Sequence, residues 1–332
     1  MRAMQITELT GPAAALKLAD LPAPEASHML TPGSGVLVDV RAAGVSFPEL
    51  LQTRGQYQVK PPLPFVPGSE VGGVVREAPA DAAVKPGDRV AAFCMLGGFA
   101  EVAAAPAYFT FKLPDELSFE QGASLVLNYH TAYFSLKLRG RLASGETVLV
   151  HGAAGGVGTA SIQVAKGLGA KTIAIVSSDD KERVARQAGA DHVVRSDADW
   201  KDQAKELSGG GVDVVIDPVG GDRFTDSLRS LREGGRLVVV GFTAGAIPEV
   251  RVNRLLLNNT EVIGSGWGAG VLSKPESTVQ IGAALHELIR AGVVAPIVGA
   301  SYPLEQAADA LALLEGRGAT GKVVLDLGAE PG

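Results

Sequence analysis

His151-Gly152-Ala153-Ala154-Gly155-Gly156-Val157-Gly158 is the stretch on which the fold turns. An apolar, β-branched run, Thr147–His151, leads into it, and a helix-forming run, Gly156–Leu168, leads out. A glycine-rich turn between strand and helix suits a dinucleotide. Glycines allow the tight turn and let the backbone approach the pyrophosphate, while the helix N-terminus offers free N–H groups and the positive end of its dipole. Gly158 lets the helix pack closely on the strand. Ala153 stands where the first glycine of the usual G-x-G-x-x-G falls and is small enough to serve there. On its own such a loop is a weak signal; the chain around it gives it weight.

Downstream, helical and strand-like runs alternate. Strands are expected at Thr172–Val176, His192–Val194, Val212–Asp217, Arg236–Val240 and Glu261–Gly264. Helices are expected at Asp180–Ala188, Trp200–Leu207, Arg223–Leu231 and Glu276–Ala291. The strand runs are continuous in Val and Ile rather than alternating, as in a parallel sheet covered on both faces. Alternation of this kind builds a doubly wound α/β unit. A further helical stretch, Phe119–Leu138, precedes the first of these strands.

Upstream the texture differs. Short extended runs such as Val36–Val40, Val71–Val75 and Arg89–Phe93 are broken by Gly and Pro, as at Lys60-Pro61-Pro62-Leu63-Pro64. This is the pattern of a β-barrel or sandwich-like unit. The closing run Lys322–Leu327 is strand-like again and fits the first unit. The expected division is residues 1–121, completed by 296–332, and residues 122–295.

Composition narrows the function. With 46% hydrophobic and 20% charged residues, the chain can bury a sizeable core. A net charge of −6 and no Lys/Arg run argue against nucleic acid as a partner. No run approaches the roughly 18 apolar residues of a membrane helix, and the N-terminus has no apolar secretory segment, so a cytoplasmic location is expected. Cys94 is the only cysteine, which excludes an intramolecular disulfide and a Cys-rich zinc site. The five histidines show no metal-ligand spacing, so no metal is expected.

The loop with its flanks, Gly145 through Lys166, resembles the signature of the quinone oxidoreductase (zeta-crystallin-like) family of the medium-chain dehydrogenase/reductase superfamily. Gly44-Val45-Ser46-Phe47-Pro48-Glu49, Pro67-Gly68-Ser69-Glu70-Val71-Gly72-Gly73-Val74-Val75, Lys85-Pro86-Gly87-Asp88-Arg89-Val90, Asp217-Pro218-Val219-Gly220-Gly221 and Gly321-Lys322-Val323-Val324-Leu325 carry the resemblance along nearly the whole chain. It implies a GroES-like β domain plus a Rossmann domain, NADPH as cofactor, and a homodimer. Zinc dehydrogenases of the same superfamily hold their metal with a Cys and a His where this chain has Ser46 and Ser69. The resemblance therefore implies chemistry without zinc: hydride transfer to a quinone or enone, whose delocalised enolate a few hydrogen-bond donors can stabilise.

Site residues follow in the same way. Ala153, Gly155, Gly156, Val157 and Gly158 are expected at the pyrophosphate. At the end of the second strand an NAD-selective site usually has an acidic residue. Here Ser177 and Ser178 follow Val176, with Lys181 one turn on and Arg195 past the next strand, a set suited to a 2′-phosphate. Asp179 and Asp180 leave two readings: ribose ligands that disfavour the phosphate, or acids at a helix N-terminus. Thr131, Gly241 and Phe242 are expected beside the cofactor, Trp267 near the nicotinamide or substrate ring or else in the core of a dimer interface, and Arg317 and Lys322 at the cofactor phosphates from the C-terminal segment. Tyr57, Ser46 and Asn128 are the candidate catalytic groups. Ser46 replaces the family's Asn and Glu49 its Asp. Two rivals remain: an enoyl-thioester or enone reductase of the same superfamily, and a non-catalytic, NADPH-binding crystallin-like protein.

Overall fold

A computed structural model describes residues 1–328. The sequence expectation for the tail, 296–332, therefore has its last four residues outside the described ones. The chain divides into two units, Met1–Leu127 with Pro296 onward, and Asn128–Ala295.

The second unit is built on a six-stranded sheet. From one edge its strands run His192–Arg195, Lys171–Val176, Thr147–Val150, Val212–Asp217, Leu231–Val239 and Glu261–Gly264. Every pairing is parallel. Numbered along the chain this is the order 3-2-1-4-5-6, which reverses direction between Thr147–Val150 and Val212–Asp217. Ligands bind outside the carboxyl ends of strands at such a reversal. Thr147–Val150 and Val212–Asp217 are buried throughout, as both-face coverage requires. Leu149, Ile173, Ile175, Val215 and Leu237 meet Trp200, Phe224 and Leu228 from the covering helices in one core.

The first unit is mainly antiparallel. Its larger sheet orders Val298–Pro303, Lys322–Asp326, Val36–Val45, Glu70–Glu77, Arg89–Phe93 and Thr110–Lys112, with Val102–Ala105 also pairing Val36–Val45. The C-terminal strand Lys322–Asp326 thus lies inside this sheet, antiparallel to Val36–Val45. Arg2–Ile6 and Leu16–Asp20 form a separate ribbon.

Several boundaries move for physical reasons. The first unit extends to Leu127 rather than 121, because the short helix Phe119–Gly122 packs on its strands. Two glycines permit that approach: a Cβ on Gly72 would stand 2.1 Å from the Phe119 carbonyl oxygen, and one on Gly44 would stand 2.2 Å from that of Ala123. The expected helix Phe119–Leu138 is therefore broken. Phe119–Gly122 is capped by Ser118 and Gln121, Val126–Tyr133 restarts the helix, and Phe134–Arg139 is a π-helical turn. The expected helix Arg223–Leu231 begins as a 3-10 turn and ends at Ser230. Leu231 already opens the next strand, which bulges between Val212 and Val214 of its neighbour. Strand Val36–Val45 outruns the expected Val36–Val40 because its consecutive small residues Ala42, Ala43 and Gly44 pair with a strand on each side.

Replacing Gly72 with alanine forces backbone apart where no side chain can yield. Gly72→Ala is expected to lower stability by about 2–3 kcal/mol, read as a shifted urea midpoint. Gly264→Ala, where nothing lies within 4 Å of the added carbon, should change it by less than about 0.5 kcal/mol.

Candidate active site

In the second unit the buried strand Thr147–Val150 delivers the chain into the glycine loop. Gly152 adopts a left-handed φ of 58°. The Gly155 N–H donates to the Gly152 carbonyl at 2.9 Å, closing the turn. A Cβ on Gly158 would lie 2.1 Å from that same carbonyl oxygen, so only glycine lets the helix start this close to the strand end. The helix Gly156–Gly167 has Gly155 as N-cap, with no side-chain cap and no acid in its first turn. Its terminal N–H groups and dipole are thereby left for an anion. Ala153, at the place of the first glycine, is fully buried. Asn128 is buried against the helix start: a Cβ on Gly156 would stand 2.5 Å from its Nδ2. Thr131, three residues on and on the same face, is buried as well.

The neighbouring strand ends at Val176, and there the structure gathers Ser177, Ser178, Lys181 and Arg195. Ser178 caps the helix Asp179–Gln187 by accepting the Lys181 N–H at 3.3 Å. Lys181 Nζ reaches Ser177 Oγ at 3.2 Å, and Arg195 Nη2 donates to the Ser177 carbonyl at 3.1 Å. Arg195 is the last residue of its strand rather than lying beyond it. The cap is Ser178, not an aspartate. Asp179 and Asp180 sit in the first turn and pair with Arg195 and Arg183. Two hydroxyls and two cations therefore converge within a helical turn, with the nearest acids already engaged by arginines.

At the carboxyl end of Leu231–Val239, the Gly241 N–H donates to the Asp217 carbonyl at 3.4 Å, and the half-exposed Phe242 ring lies over Gly220. Asp217, buried with its carboxyl pushed above the usual range by desolvation, accepts the N–H groups of Val219 and Gly220, each at 2.9 Å, and fixes this loop beside Gly152. The Trp267 indole is buried and meets the His130 ring edge-on with centroids 5.8 Å apart.

In the first unit a buried polar cluster lies where three strands come into register. Val45 pairs with Val323 and Gly44 with Glu70, which places Ser46, Lys322 and Glu70 side by side. Gly44 makes the slot: a Cβ there would lie 2.7 Å from Glu70 Cγ. Lys322 is 3% exposed and bonds Glu70, which is fully buried; its Nζ also donates to Ser46 Oγ at 2.6 Å. Glu70 takes the Leu127 N–H at 2.8 Å on its other oxygen. Glu49, also buried, accepts the Ser46 N–H at 2.9 Å and a hydrogen bond from Ser69 Oγ. Burial pushes the Glu49 carboxyl above its usual range against the pull of Ser69 and Lys322. Tyr57, half-buried after the left-handed Gly55, has its phenol raised by burial and then by the charge of Glu49. Lys322, expected at the cofactor phosphates, is instead consumed inside this cluster. A buried ammonium must find a carboxylate, and Glu70 is the one the register supplies. Arg317 sits on an exposed left-handed turn after the helix Ala307–Glu315. The sequence reading missed the cluster as a unit because its members are separated by up to 276 positions.

A glycine loop before an uncapped helix at the reversal of a 3-2-1-4-5-6 sheet, on a chain that also folds a mainly antiparallel β unit, defines a nucleotide-dependent dehydrogenase/reductase of the medium-chain class. Comparison with known proteins agrees. The zinc-binding dehydrogenase family model matches residues 156–285, and the alcohol dehydrogenase GroES-like domain matches residues 32–115. Rat quinone oxidoreductase-like protein 2 is 43% identical over 302 residues, covering 88% of this chain and 85% of that protein. Mouse quinone oxidoreductase is 37% identical over 337 residues, covering 98% and 97%. The structure of mycobacterial Rv1454c complexed with NADPH superposes with a TM-score of 0.88 at 35% identity, covering 98% and 99%. The chain belongs to the quinone oxidoreductase family of the medium-chain dehydrogenase/reductase superfamily, and it is an oxidoreductase.

The first of these family models is named for zinc, and the donor set here does not fit that ion. Ser46 and Ser69 offer neutral hydroxyls, which are poor zinc ligands, and Glu70 is bound by an ammonium that would repel a second cation. Burial pushes the Cys94 thiol up, and it donates to the Gly68 carbonyl at 3.4 Å. Among the described residues no group of three or more His, Cys, Asp and Glu could hold a metal ion.

His130 and His151 are fully enclosed, and desolvation lowers each imidazole to about 3. His151 meets Ser227 Oγ at 2.8 Å and the edge of Trp200. The folded chain keeps both neutral, while the unfolded chain protonates them near pH 6.5. Their stabilisation is complete above 6.5 and is lost as pH falls toward 3, at about 1.4 kcal/mol per pH unit for each histidine. Melting temperature should therefore fall between pH 6.5 and 5, and His151→Gln should make that fall shallower. A slope unchanged by the substitution would refute the assignment.

Proposed function

We propose that this oxidoreductase reduces quinones or related conjugated carbonyl compounds with NADPH, by hydride transfer and without zinc. The observation that carries the reading is the convergence of Ser177, Ser178, Lys181 and Arg195 one strand away from an uncapped helix N-terminus. The helix end suits a pyrophosphate, and the hydroxyl–cation set suits a 2′-phosphate bearing close to two negative charges. Val157 and the glycines around it would hold the pyrophosphate, with Thr131, Gly241 and Phe242 lining the approach to the cofactor. NADPH, when bound, supplies the hydride.

The chain's own groups supply the rest. Hydride addition to a conjugated acceptor leaves negative charge on its oxygen, and hydrogen-bond donors stabilise such charge where water is excluded. Tyr57 and Ser46 are the donors proposed for that oxygen. The raised Tyr57 phenol stays protonated at neutral pH and so can donate. Asn128, fixed against Gly156, is proposed to hold substrate or cofactor by its amide. The protein is proposed to work in the cytoplasm; no helix among the described residues is long and apolar enough to cross a membrane.

The reading is tested by titrating the protein with NADPH and NADH, following Trp fluorescence. Lys181→Ala should weaken NADPH binding about tenfold, the loss of one charge-assisted contact, and leave NADH binding nearly unchanged. Equal affinity for both cofactors in the parent chain would overturn the phosphate site. Turnover on 1,4-naphthoquinone should exceed that on crotonyl-CoA; strong preference for the thioester would instead make this an enoyl-thioester reductase.

The second unit also supports a homodimer. Leu256 and Leu257 are each 76% exposed, and Ile247 and Val252 are exposed nearby, next to the edge strand Glu261–Gly264. These are the most exposed large apolar side chains among the described residues, and a group of them suits a contact between proteins. Light scattering should give twice the 34.1 kDa of one chain, and Leu256→Asp with Leu257→Asp should halve it. A single-chain mass for the parent protein would sink the dimer.

A further inference from the structure

The buried charges of the first unit are more than scaffolding. Lys322 opens the last strand, and its ammonium is held between Glu70 and Ser46 in a site with almost no solvent. Ser46, by contrast, is only half-buried. It follows the strand Val36–Val45 and begins the helix Phe47–Gln52, with its N–H pinned by Glu49 at 2.9 Å.

A serine hydroxyl has one proton to give and two lone pairs that accept. At Ser46 the ammonium takes up an acceptor direction from the buried side. An ammonium has no acceptor capacity, so the Ser46 proton cannot turn toward Lys322. The Glu49 N–H, three residues on, points at the same hydroxyl oxygen in a capping box, and the Glu49 carboxyl accepts the Ser46 N–H and Ser69 Oγ but no bond from Ser46 Oγ. The hydroxyl proton is left with the exposed side. A hydrogen bond accepted from a cation also polarises the O–H that remains, and polarisation along such a chain strengthens the next bond.

We propose that Lys322 is a positioning residue that turns Ser46 into an outward-facing, polarised hydrogen-bond donor for the acceptor's carbonyl oxygen. The fixed positive charge that zinc would supply at such a place is here an internal ammonium, acting through one hydroxyl. The inference rests on the reductase reading above and adds Lys322, Glu70 and a direction for the Ser46 proton. Glu70 holds the ammonium in place, and Gly44 holds open the slot in which Glu70 lies.

The test is a double-mutant cycle on naphthoquinone turnover with NADPH. Lys322→Met alone strands the buried Glu70 charge and risks unfolding. The pair Glu70→Gln with Lys322→Met removes both charges and keeps the carbonyl that accepts the Leu127 N–H. With Ser46 intact, this neutral pair should lower kcat about tenfold, the loss of one charge-assisted bond, while leaving the NADPH dissociation constant within about twofold. Combined with Ser46→Ala it should cost less than about twofold further, because the two act as a unit. Lys322→Arg, which keeps the charge, should recover most of the rate. A second readout needs no cofactor: in 15N-lysine-labelled protein, the exchange-protected Lys322 ammonium resonance should shift on Ser46→Ala. An additive cycle in an active parent enzyme, or an ammonium resonance unmoved by Ser46→Ala, overturns the role given to Lys322 and leaves the reductase reading intact. A parent chain that turns over no acceptor overturns the reductase reading, and the role of Ser46 falls with it.

Discussion

Lys322 and Glu70 form an ion pair almost out of reach of water, and much of the first unit is arranged around keeping it made. A lone buried charge costs several kcal/mol, so the pair ties the C-terminal strand to the strands laid down early in the chain. The strand Lys322–Asp326 then pairs with Val36–Val45, and Val298–Pro303 adds beyond it. Gly44 and Gly72 matter for the same reason. By lacking side chains they admit the Glu70 carboxylate and the Phe119–Gly122 backbone to the same crowded face.

The second unit depends on a different constraint, the absence of something. No side chain caps the helix Gly156–Gly167, and no acid stands in its first turn. Exposed N–H groups at a helix start would ordinarily be satisfied by Ser, Thr, Asp or Asn, as Ser178 satisfies the next helix. Two successive helices at one end of one sheet are thus treated oppositely. One is closed by its own residues, and the other is left open toward an anion. Lys181 and Arg195 gather around the closed one, which sets the proposed 2′-phosphate contacts one strand away from the proposed pyrophosphate site.

Titratable groups in the two units are handled with the same economy. His130 and His151 are held neutral inside the second unit, and Glu49 has its carboxyl raised in the first. His151 meets Ser227 Oγ and the edge of Trp200, and His130 packs against Trp267. The carboxylates and the ammonium of the first unit are instead coupled to Ser46, which keeps one side toward solvent.

Much of this was legible in the sequence, for a physical reason. Continuous Val/Ile strands, helix-length gaps and a glycine run after a strand are local patterns, and local patterns fix a parallel sheet and its nucleotide loop before any long-range contact is known. Trp200–Leu207, Val212–Asp217 and Glu261–Gly264 are set by their own residues and end where the sequence implies. Ser177, Ser178, Lys181 and Arg195 were readable together because strand ends of one parallel sheet lie side by side. The break in Phe119–Leu138, the burial of Trp267 against His130 and the capture of Lys322 by Glu70 were not. Each is decided by a partner far away in the chain: Gly72 under Phe119, His130 across from Trp267, and Glu70 across the strand register from Lys322. The residues' own propensities are silent about such partners. Only the tertiary structure decides which charge is buried, because only it settles which opposite charge is near enough to make burial tolerable.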